Sequence, residues 1–404
     1  MLPEGWKEIF LGNILDFKNG LNADKAAYGH GCKFVNVMDV INNTIIKHEN
    51  IIGKVNTTAK NIDLFKLKYG DILFNRTSET KEEIALSSVY MDYSLAVYGG
   101  FVIRGRPKNS NINTDFSLYF FQSPSFRNQA IKSAQGVVRA NIGQDSLSRI
   151  LLPLPPLPEQ KKIAAILSTW DRAIEGTEKL LANSQQQKKA LMQQLLTGKK
   201  RLPGFTGEWK TKTFLDIFNL KIGGTPSRSN PAYWDTDKIT ENRWVAISDL
   251  RTAKIRKTAE HISDLGAKKS NCSLIPKGTI ILSFKLTIGK KAILLEDCYT
   301  NEAICALIIK DKNEINSSYV YQALDNVNYE EEIDQAVKGK TLNKEKLARL
   351  RILAPPLPEQ KAIAAVLSTA DEEITALESD LSRLRQEKKA LMQQLLTGKI
   401  RVAV

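Results

Sequence analysis

A segment of 45 residues occurs twice in this chain, 200 positions apart. From Pro155 it reads PPLPEQKKIAAILSTWDRAIEGTEKLLANSQQQKKALMQQLLTGK, ending at Lys199. From Pro355 it reads PPLPEQKAIAAVLSTADEEITALESDLSRLRQEKKALMQQLLTGK, ending at Lys399. Residues 188–199 and 388–399 agree at all twelve positions. Solenoid repeats run roughly 20–50 residues, so this period describes two copies of a larger unit. Each copy is a variable body followed by one common long segment.

The common segment predicts a helix. Pro153, Pro155, Pro156 and Pro158, and Pro355, Pro356 and Pro358, stand where a missing N–H costs least. Gly198 and Gly398 stand as C-caps, with lysines in or just past the last turn. Between these limits lie about 38 residues without proline, about 57 Å of helix. The apolar spacing is close to a heptad. In the second copy it follows Leu367, Ala370, Ile374, Leu377, Leu381, Leu384, Leu391 and Leu395, interrupted by Lys388. In the first it follows Leu167, Trp170, Ile174, Leu181, Leu191 and Leu195, with Thr177, Ser184 and Lys188 in the same frame. Two apolar positions per seven, sustained this long, predict a coiled-coil seam, and the simplest partner is the other copy. The alternative is two amphipathic helices, each packed on its own domain.

At 404 residues, two to three domains are expected. Lys and Arg number 58 against 44 Asp and Glu, a formal charge of +14 that suggests a polyanionic partner, nucleic acid before membrane. Cys32, Cys272, Cys298 and Cys305, with His30, His48 and His261, form neither CxxC nor HxxxH, so no metal site is expected. The cysteines read as small apolar residues of a reducing, cytoplasmic compartment. MLPEGWKEIF lacks the pattern of a secretory signal, and no apolar run approaches 18 residues.

The first body, residues 1–152, has strand-and-loop texture: KFVNVMDV (33–40), DILFNRTS (71–78) and VYGGFVIRG (97–105), with a helical stretch over 117–134. It ends in a basic loop, QGVVRANIGQDSLSRI (135–150). The second body, residues 203–352, repeats it faintly. Trp6, Ile14, Lys18 and Gly20 match Trp209, Ile217, Lys221 and Gly223 at an offset of 203. WVAISDL (244–250) lies over FVNVMDV (34–40). Helical segments 153–202 and 353–404 complete the four-part order. Near-identical helices imply one kind of partner met twice, and diverged bodies imply two different things read.

Motifs of catalysis are missing. TIGKK (287–291) and LTGKK (196–200) lack the upstream glycine and the Ser/Thr of a P-loop. No GxGxxG or GxSxG occurs, and Asp71, Asp249, Glu296 and Asp297 are scattered. GGTP (223–226) fits either an anion-holding loop or a tight structural turn. Trp234 and Trp244 read as core.

LKIGGTPSRSNPAYW (220–234), WVAISDL, LSFKLTIGKKAIL (282–294), TNEAICAL (300–307) and PPLPEQKAIAAVL (355–367) closely resemble the specificity subunits of type I restriction-modification enzymes. The resemblance covers nearly the whole chain, the internal duplication included. The first body departs from it, with KNGLNADKAAYGHG (18–31) in place of GGTPSRSNPAYW. The resemblance implies an α+β fold: two similar α/β target recognition domains separated by two long antiparallel helices, with pseudo-twofold symmetry. It implies no catalysis, cofactor or metal in this chain. Each domain would read one half of a split DNA site, and the helices would set their spacing. Two modification subunits carrying S-adenosylmethionine for adenine N6 methylation would dock on it. Restriction subunits using ATP and Mg would join that core.

Arginine and asparagine suit base edges and lysine suits phosphates. On that basis the expected DNA contacts in the second domain are Lys221, Thr225, Ser227 and Arg228, then Lys285, Thr287, Lys290 and Lys291, then Lys338, Lys340 and Asn343. In the first domain they are Lys18, Asn19, Arg76, Thr77, Ser78, Lys81, Arg139 and Asn141. The helix seam is expected at Leu167, Ile174, Leu181, Leu367, Ile374, Leu377, Leu381 and Leu384. A non-catalytic coiled-coil adaptor with two protein-binding domains is the competing reading. It differs in lacking a salt-dependent affinity for DNA.

Overall fold

The structure, a computed structural model, describes residues 2–136, 139–332, 334–336 and 339–403; of 332, 334–336 and 339–341 it describes the backbone alone. The two common segments are helices Leu157–Leu195 and Leu357–Leu395. Each begins beside the proline cluster and ends before a glycine in the left-handed region, Gly198 at φ 70° and Gly398 at φ 71°. Past each glycine the chain turns back onto the last turn, where Lys200 N–H donates to Gln194 O at 3.1 Å and Ile400 N–H to Gln394 O at 3.3 Å.

The chain divides into two compact units, Met1–Glu178 with Ser379–Val404, and Lys179–Glu378. Each unit therefore holds one body, the N-terminal half of the helix that follows it and the C-terminal half of the other helix.

In the first unit, Lys7–Phe10 pairs antiparallel with Leu151–Leu154, so the body's two ends meet where the long helix starts. A five-stranded sheet runs in the order Leu15–Asn19, Val102–Pro107, Ile72–Asn75, Ser87–Tyr90, Ile45–Ile46, antiparallel except at the last pair. Beside it Tyr28–Val35 lies between Lys54–Val55 and Ala96–Tyr98. The run KFVNVMDV is strand only as far as Val35. Asn36 accepts from Met38 N and Asp39 N and caps the helix Val37–Asn42. The stretch 117–134 is two helices, Thr114–Phe120 and Pro124–Ser133, separated where Ser123 and Pro124 begin the second.

The second unit repeats the plan. Lys210–Thr213 pairs with Arg351–Ala354. The five-stranded order is Phe218–Ile222, Ile304–Ile309, Ile280–Ser283, Lys291–Leu294, Lys254–Ile255, again parallel only at the last pair. Arg243–Val245 lies between Glu260–His261 and Tyr299–Thr300. The same strand order in the five-stranded and three-stranded sheets of both bodies accounts for the faint sequence match.

The helix halves pack against one another inside each unit. In the first, Ile163 and Leu167 share a core with Leu395 and Leu396, and Lys388 pairs with Asp171 and Arg385 with Glu178. Rising numbers on one helix meet falling numbers on the other, so the halves are antiparallel. In the second, Ile363 and Leu367 share a core with Leu195 and Leu196, and Lys188 Nζ lies 2.5 Å from Asp371. Leu167, Leu367 and Leu381 are buried, and Ile174, Leu181, Ile374, Leu377 and Leu384 are half-buried. The lysines that interrupt the heptad are the paired ones. Their carboxylate partners are also held from the body, by Tyr119 Oη on Asp171 and Gln322 Nε2 on Asp371, both at 2.6 Å.

The repeated Pro-Glu-Gln also has a structural reason. Glu159 and Glu359 are 1% and 0% exposed. Glu159 accepts from Trp6 Nε1 at 2.9 Å and from Arg401 Nε and Nη2 at 2.8 and 3.0 Å. Glu359 accepts from Trp209 Nε1 at 3.1 Å and from Arg201 Nε and Nη2, both at 2.6 Å. Gln160 and Gln360 cap loops of their bodies, accepting from Asn113 N at 2.8 Å and Asn316 N at 2.9 Å. Glu359→Ala leaves Arg201 and Trp209 without their buried acceptor. It is expected to destabilise the protein by about 3 kcal/mol or more, read as a lowered midpoint in urea unfolding, and Glu159→Ala is expected to do the same.

Candidate nucleic-acid interface

In the first unit, Lys18 and Asn19 end the strand Leu15–Asn19. The next residue, Gly20, approaches the backbone so closely that a Cβ would fall 2.1 Å from Gly99 O. Arg76 follows the strand Ile72–Asn75; its Nη1 donates to Gly100 O at 3.1 Å and its N–H to Phe101 O at 2.9 Å. Thr77–Ser78 pairs antiparallel with Ala140–Asn141, and Thr77 Oγ1 donates to Asn141 Oδ1 at 2.7 Å. Asn141 Nδ2 donates to Arg139 O at 3.1 Å, and Arg139 lies 3.9 Å from Glu79. Ser78 donates to Glu83, and exposed Lys81 opens the turn Lys81–Glu83. Gly100 N–H donates to Leu21 O at 2.9 Å, which joins the Lys18 loop to the Arg76 loop. The eight residues expected in this domain thus stand on one set of interlinked strand ends and loops, but Ser78 is buried and bonded to Glu83, so the structure does not support it as a DNA contact.

In the second unit, Lys221 Nζ donates to Leu274 O at 3.3 Å. The glycines of GGTP are spent on close packing: a Cβ on Gly223 would fall 2.2 Å from Thr300 O. Both N–H groups are occupied, Gly223 on Ile304 O at 3.0 Å and Gly224 on Thr300 O at 2.8 Å. The loop is a structural turn, with no free pair of amides for an anion. Thr225 donates to Glu302, and Ser227 and Ser229 share a hydrogen bond at 2.8 Å. Arg228 pairs with Glu260 and lies over Trp234. Burial fits Trp244 as core, but Trp234 is half-exposed and carries the arginine.

Lys285, Thr287 and Lys290 lie on the turn after Ile280–Ser283, where Ser283 Oγ accepts from Lys290 N at 3.0 Å and donates to Thr287 O. Phe284 N–H donates to Ala303 O at 3.0 Å, which joins this turn to the Glu302 loop. Lys291 departs from the set. Its side chain is 9% exposed, lies 2.7 Å from Asp325 and sits over the Tyr321 ring, and burial lowers the ammonium's pKa below its ordinary value. An ammonium so enclosed serves the interior, so the structure does not support it as a phosphate contact. Asn343 is exposed and accepts from Lys346 N at 2.8 Å as the N-cap of Lys344–Arg349. Lys338 and the side chain of Lys340 lie outside the described residues.

Sequence reasoning missed Glu260, Glu302 and Glu79, which place carboxylates among the expected cations. Nothing in the spacing from Arg228 to Glu260 signals their pairing, which depends on the small sheet around Arg243–Val245. Among the described residues no helix is long and apolar enough to cross a membrane.

A family profile for the type I restriction modification DNA specificity domain matches residues 3–183 and 206–384. A Methanocaldococcus jannaschii protein assigned as the MjaX specificity subunit of a type I restriction enzyme is 25% identical over 426 residues. The match covers 99% of this chain and 95% of that relative. The EcoR124I/EcoR124II specificity subunit of Escherichia coli is 25% identical over 275 residues, 63% of this chain and 64% of the relative. Among solved structures, the S subunit from M. genitalium aligns with TM-score 0.59 at 14% identity over 97% of this chain and 96% of its own. The HsdS subunit from Thermoanaerobacter tengcongensis aligns with TM-score 0.52 at 19% identity over 99% and 98%. At these identities the structures establish the fold alone.

The contrast between neighbouring lysines is testable. Lys290→Gln is expected to change stability by less than about 0.5 kcal/mol, as for a surface substitution. Lys291→Ala removes an enclosed side chain that packs over Tyr321 and donates to Tyr321 O, and is expected to cost at least about 1 kcal/mol. Urea titration of the two variants separates them.

Proposed function

The chain belongs to the type I restriction-modification DNA specificity family, and from that premise we propose that its two bodies each read one half of a split, asymmetric DNA site. It is a specificity subunit, non-catalytic itself. The reading is supported by one observation above the rest: two bodies of one topology carry different residues on corresponding loops. KNGLNADK with Arg76, Thr77 and Arg139 stands in one, and KIGGTPSR with Lys285, Thr287 and Lys290 in the other. Like scaffolds with unlike loops suit two different base sequences. The excess of positive charge suits the phosphates. The 39-residue helices run from one unit into the other and, in this reading, set the number of base pairs between the halves.

Two modification subunits and the restriction subunits are the proposed partners, and S-adenosylmethionine, ATP and Mg belong to them. The modification subunits methylate adenine N6. Support for one partner met twice comes from the exposed helix positions. Lys189, Ala190, Gln193 and Gln194 are exposed and recur as Lys389, Ala390, Gln393 and Gln394. Exposed positions of the middle turns differ between copies: Arg172 against Glu372, Ala173 against Glu373, Asn183 against Arg383. Packing does not require identity at solvent-facing positions, whereas two copies of one docking partner do.

The complex with the modification subunit is expected to bind duplex DNA with an affinity that falls steeply with salt. Arg139→Ala in the first domain and Lys290→Ala in the second are each expected to lower the slope of log affinity against log salt by about one. Fluorescence anisotropy across a salt series reads the slopes. An affinity independent of salt contradicts the proposal.

A further inference from the structure

The loop Gly223–Trp234 of the second unit is fastened by two indoles. Trp244 Nε1 donates to Gly224 O at 2.9 Å and Trp234 Nε1 to Ser227 O at 3.2 Å. The two rings meet edge to face, with centroids 5.1 Å apart. Against them lies the Arg228 guanidinium, 3.7 Å from the Trp234 centroid and 5.1 Å from that of Trp244. Glu260, on the strand Glu260–His261, takes both terminal nitrogens: Nη1 on Oε1 at 2.5 Å and Nη2 on Oε2 at 3.0 Å. The pairing raises the pKa of Arg228 and lowers that of Glu260.

This is more fixation than an exposed ion pair needs, because the indole hydrogen bonds already hold the loop. Its effect is on orientation. A guanidinium has five N–H donors in a planar fork, and Glu260 engages two of them. No other hydrogen-bond partner of this group lies among the described residues. The Nε–H and an adjacent Nη–H remain as a two-donor edge, on a side chain that is 54% exposed. Two parallel donors match the O6 and N7 acceptors of guanine in the major groove. Stacking fixes the plane and the carboxylate fixes the rotation, so the edge is set before any ligand arrives. The carboxylate also offsets the arginine's charge, which reduces its pull on phosphates of any sequence. The first body has no counterpart, since its loop Lys18–Gly31 carries neither arginine nor tryptophan.

We propose that Glu260 and Trp234 are positioning residues that present Arg228 as a preset reader of one guanine in the half-site taken by the second domain. The proposal rests on the DNA-reading function argued above. It is tested on the full chain in complex with its modification subunit, using a cognate duplex selected from random-sequence DNA. Anisotropy titrations compare wild type, Glu260→Gln and Arg228→Lys. The probes are the cognate duplex, duplexes with each G·C pair changed singly to A·T, and an unrelated duplex.

In wild type, one G·C change in one half-site is expected to weaken binding about tenfold or more. Arg228→Lys keeps the charge but not the planar fork, and is expected to lose that discrimination and no other. Glu260→Gln is expected to lose it too while binding the unrelated duplex more tightly. Mere loss of fold lowers affinity for every duplex and raises none. Wild type reading a split site while Glu260→Gln keeps every discrimination overturns the guanine assignment alone. Wild type without sequence-selective binding overturns the DNA-reading function as well.

Discussion

A buried carboxylate at the start of each long helix holds this architecture together. Glu159 and Glu359 enter environments that are hostile to charge unless every lone pair is answered. Each is answered by an indole from the residue just before the first strand of its body and by an arginine fork. The position in the first helical turn adds the favourable end of the helix dipole. The arginines are the informative partners. Arg401 follows the end of the second helix and Arg201 the end of the first, so the start of one helix is tied to the end of the other. Antiparallel order inside each unit follows from that tie. The lysines on the seam then fix the register, because Lys188 meets Asp371 and Lys388 meets Asp171.

Much of this was legible before any coordinates. The duplication marked two similar bodies, and the prolines and TGK marked the limits of the two long helices. What spacing could not give was long-range pairing. Lys188 and Lys388 read as faults in a heptad, because their aspartates lie on the other helix, far away in sequence. Pro-Glu-Gln read as a helix start and gave no sign of a buried clamp. The strand run through KFVNVMDV stops at Val35 because the Asn36 cap starts a helix there, so local side-chain chemistry overrides apolar content. Adjacency groups Lys291 with Lys290, but Lys290 closes an exposed turn whereas Lys291 opens the strand Lys291–Leu294 and turns onto Tyr321 and Asp325.

The two layers of the molecule answer to different demands. The helix ends and their clamps recur in both copies, where core packing and the buried carboxylate leave little freedom. The body loops change because a stiff five-stranded sheet positions them whatever they carry. Glycine is kept where the backbone demands it, at Gly20 and Gly223, where a side chain has no room. Around those fixed points the first body has placed Arg76, Thr77 and Asn141 in one network, and the second a guanidinium stacked on indole. The proposed function uses this division, with the constant parts for assembly and the variable parts for sequence.

The central claim is that each body reads its own half of one site. The most direct measurement is single-molecule sequencing of genomic DNA from cells that coexpress the chain with its modification subunit, mapping every methylated adenine. The account predicts a split, asymmetric motif with one methylated adenine in each half and unspecified bases between. A continuous or palindromic methylated motif would contradict it, because two unlike bodies reading separately cannot produce one.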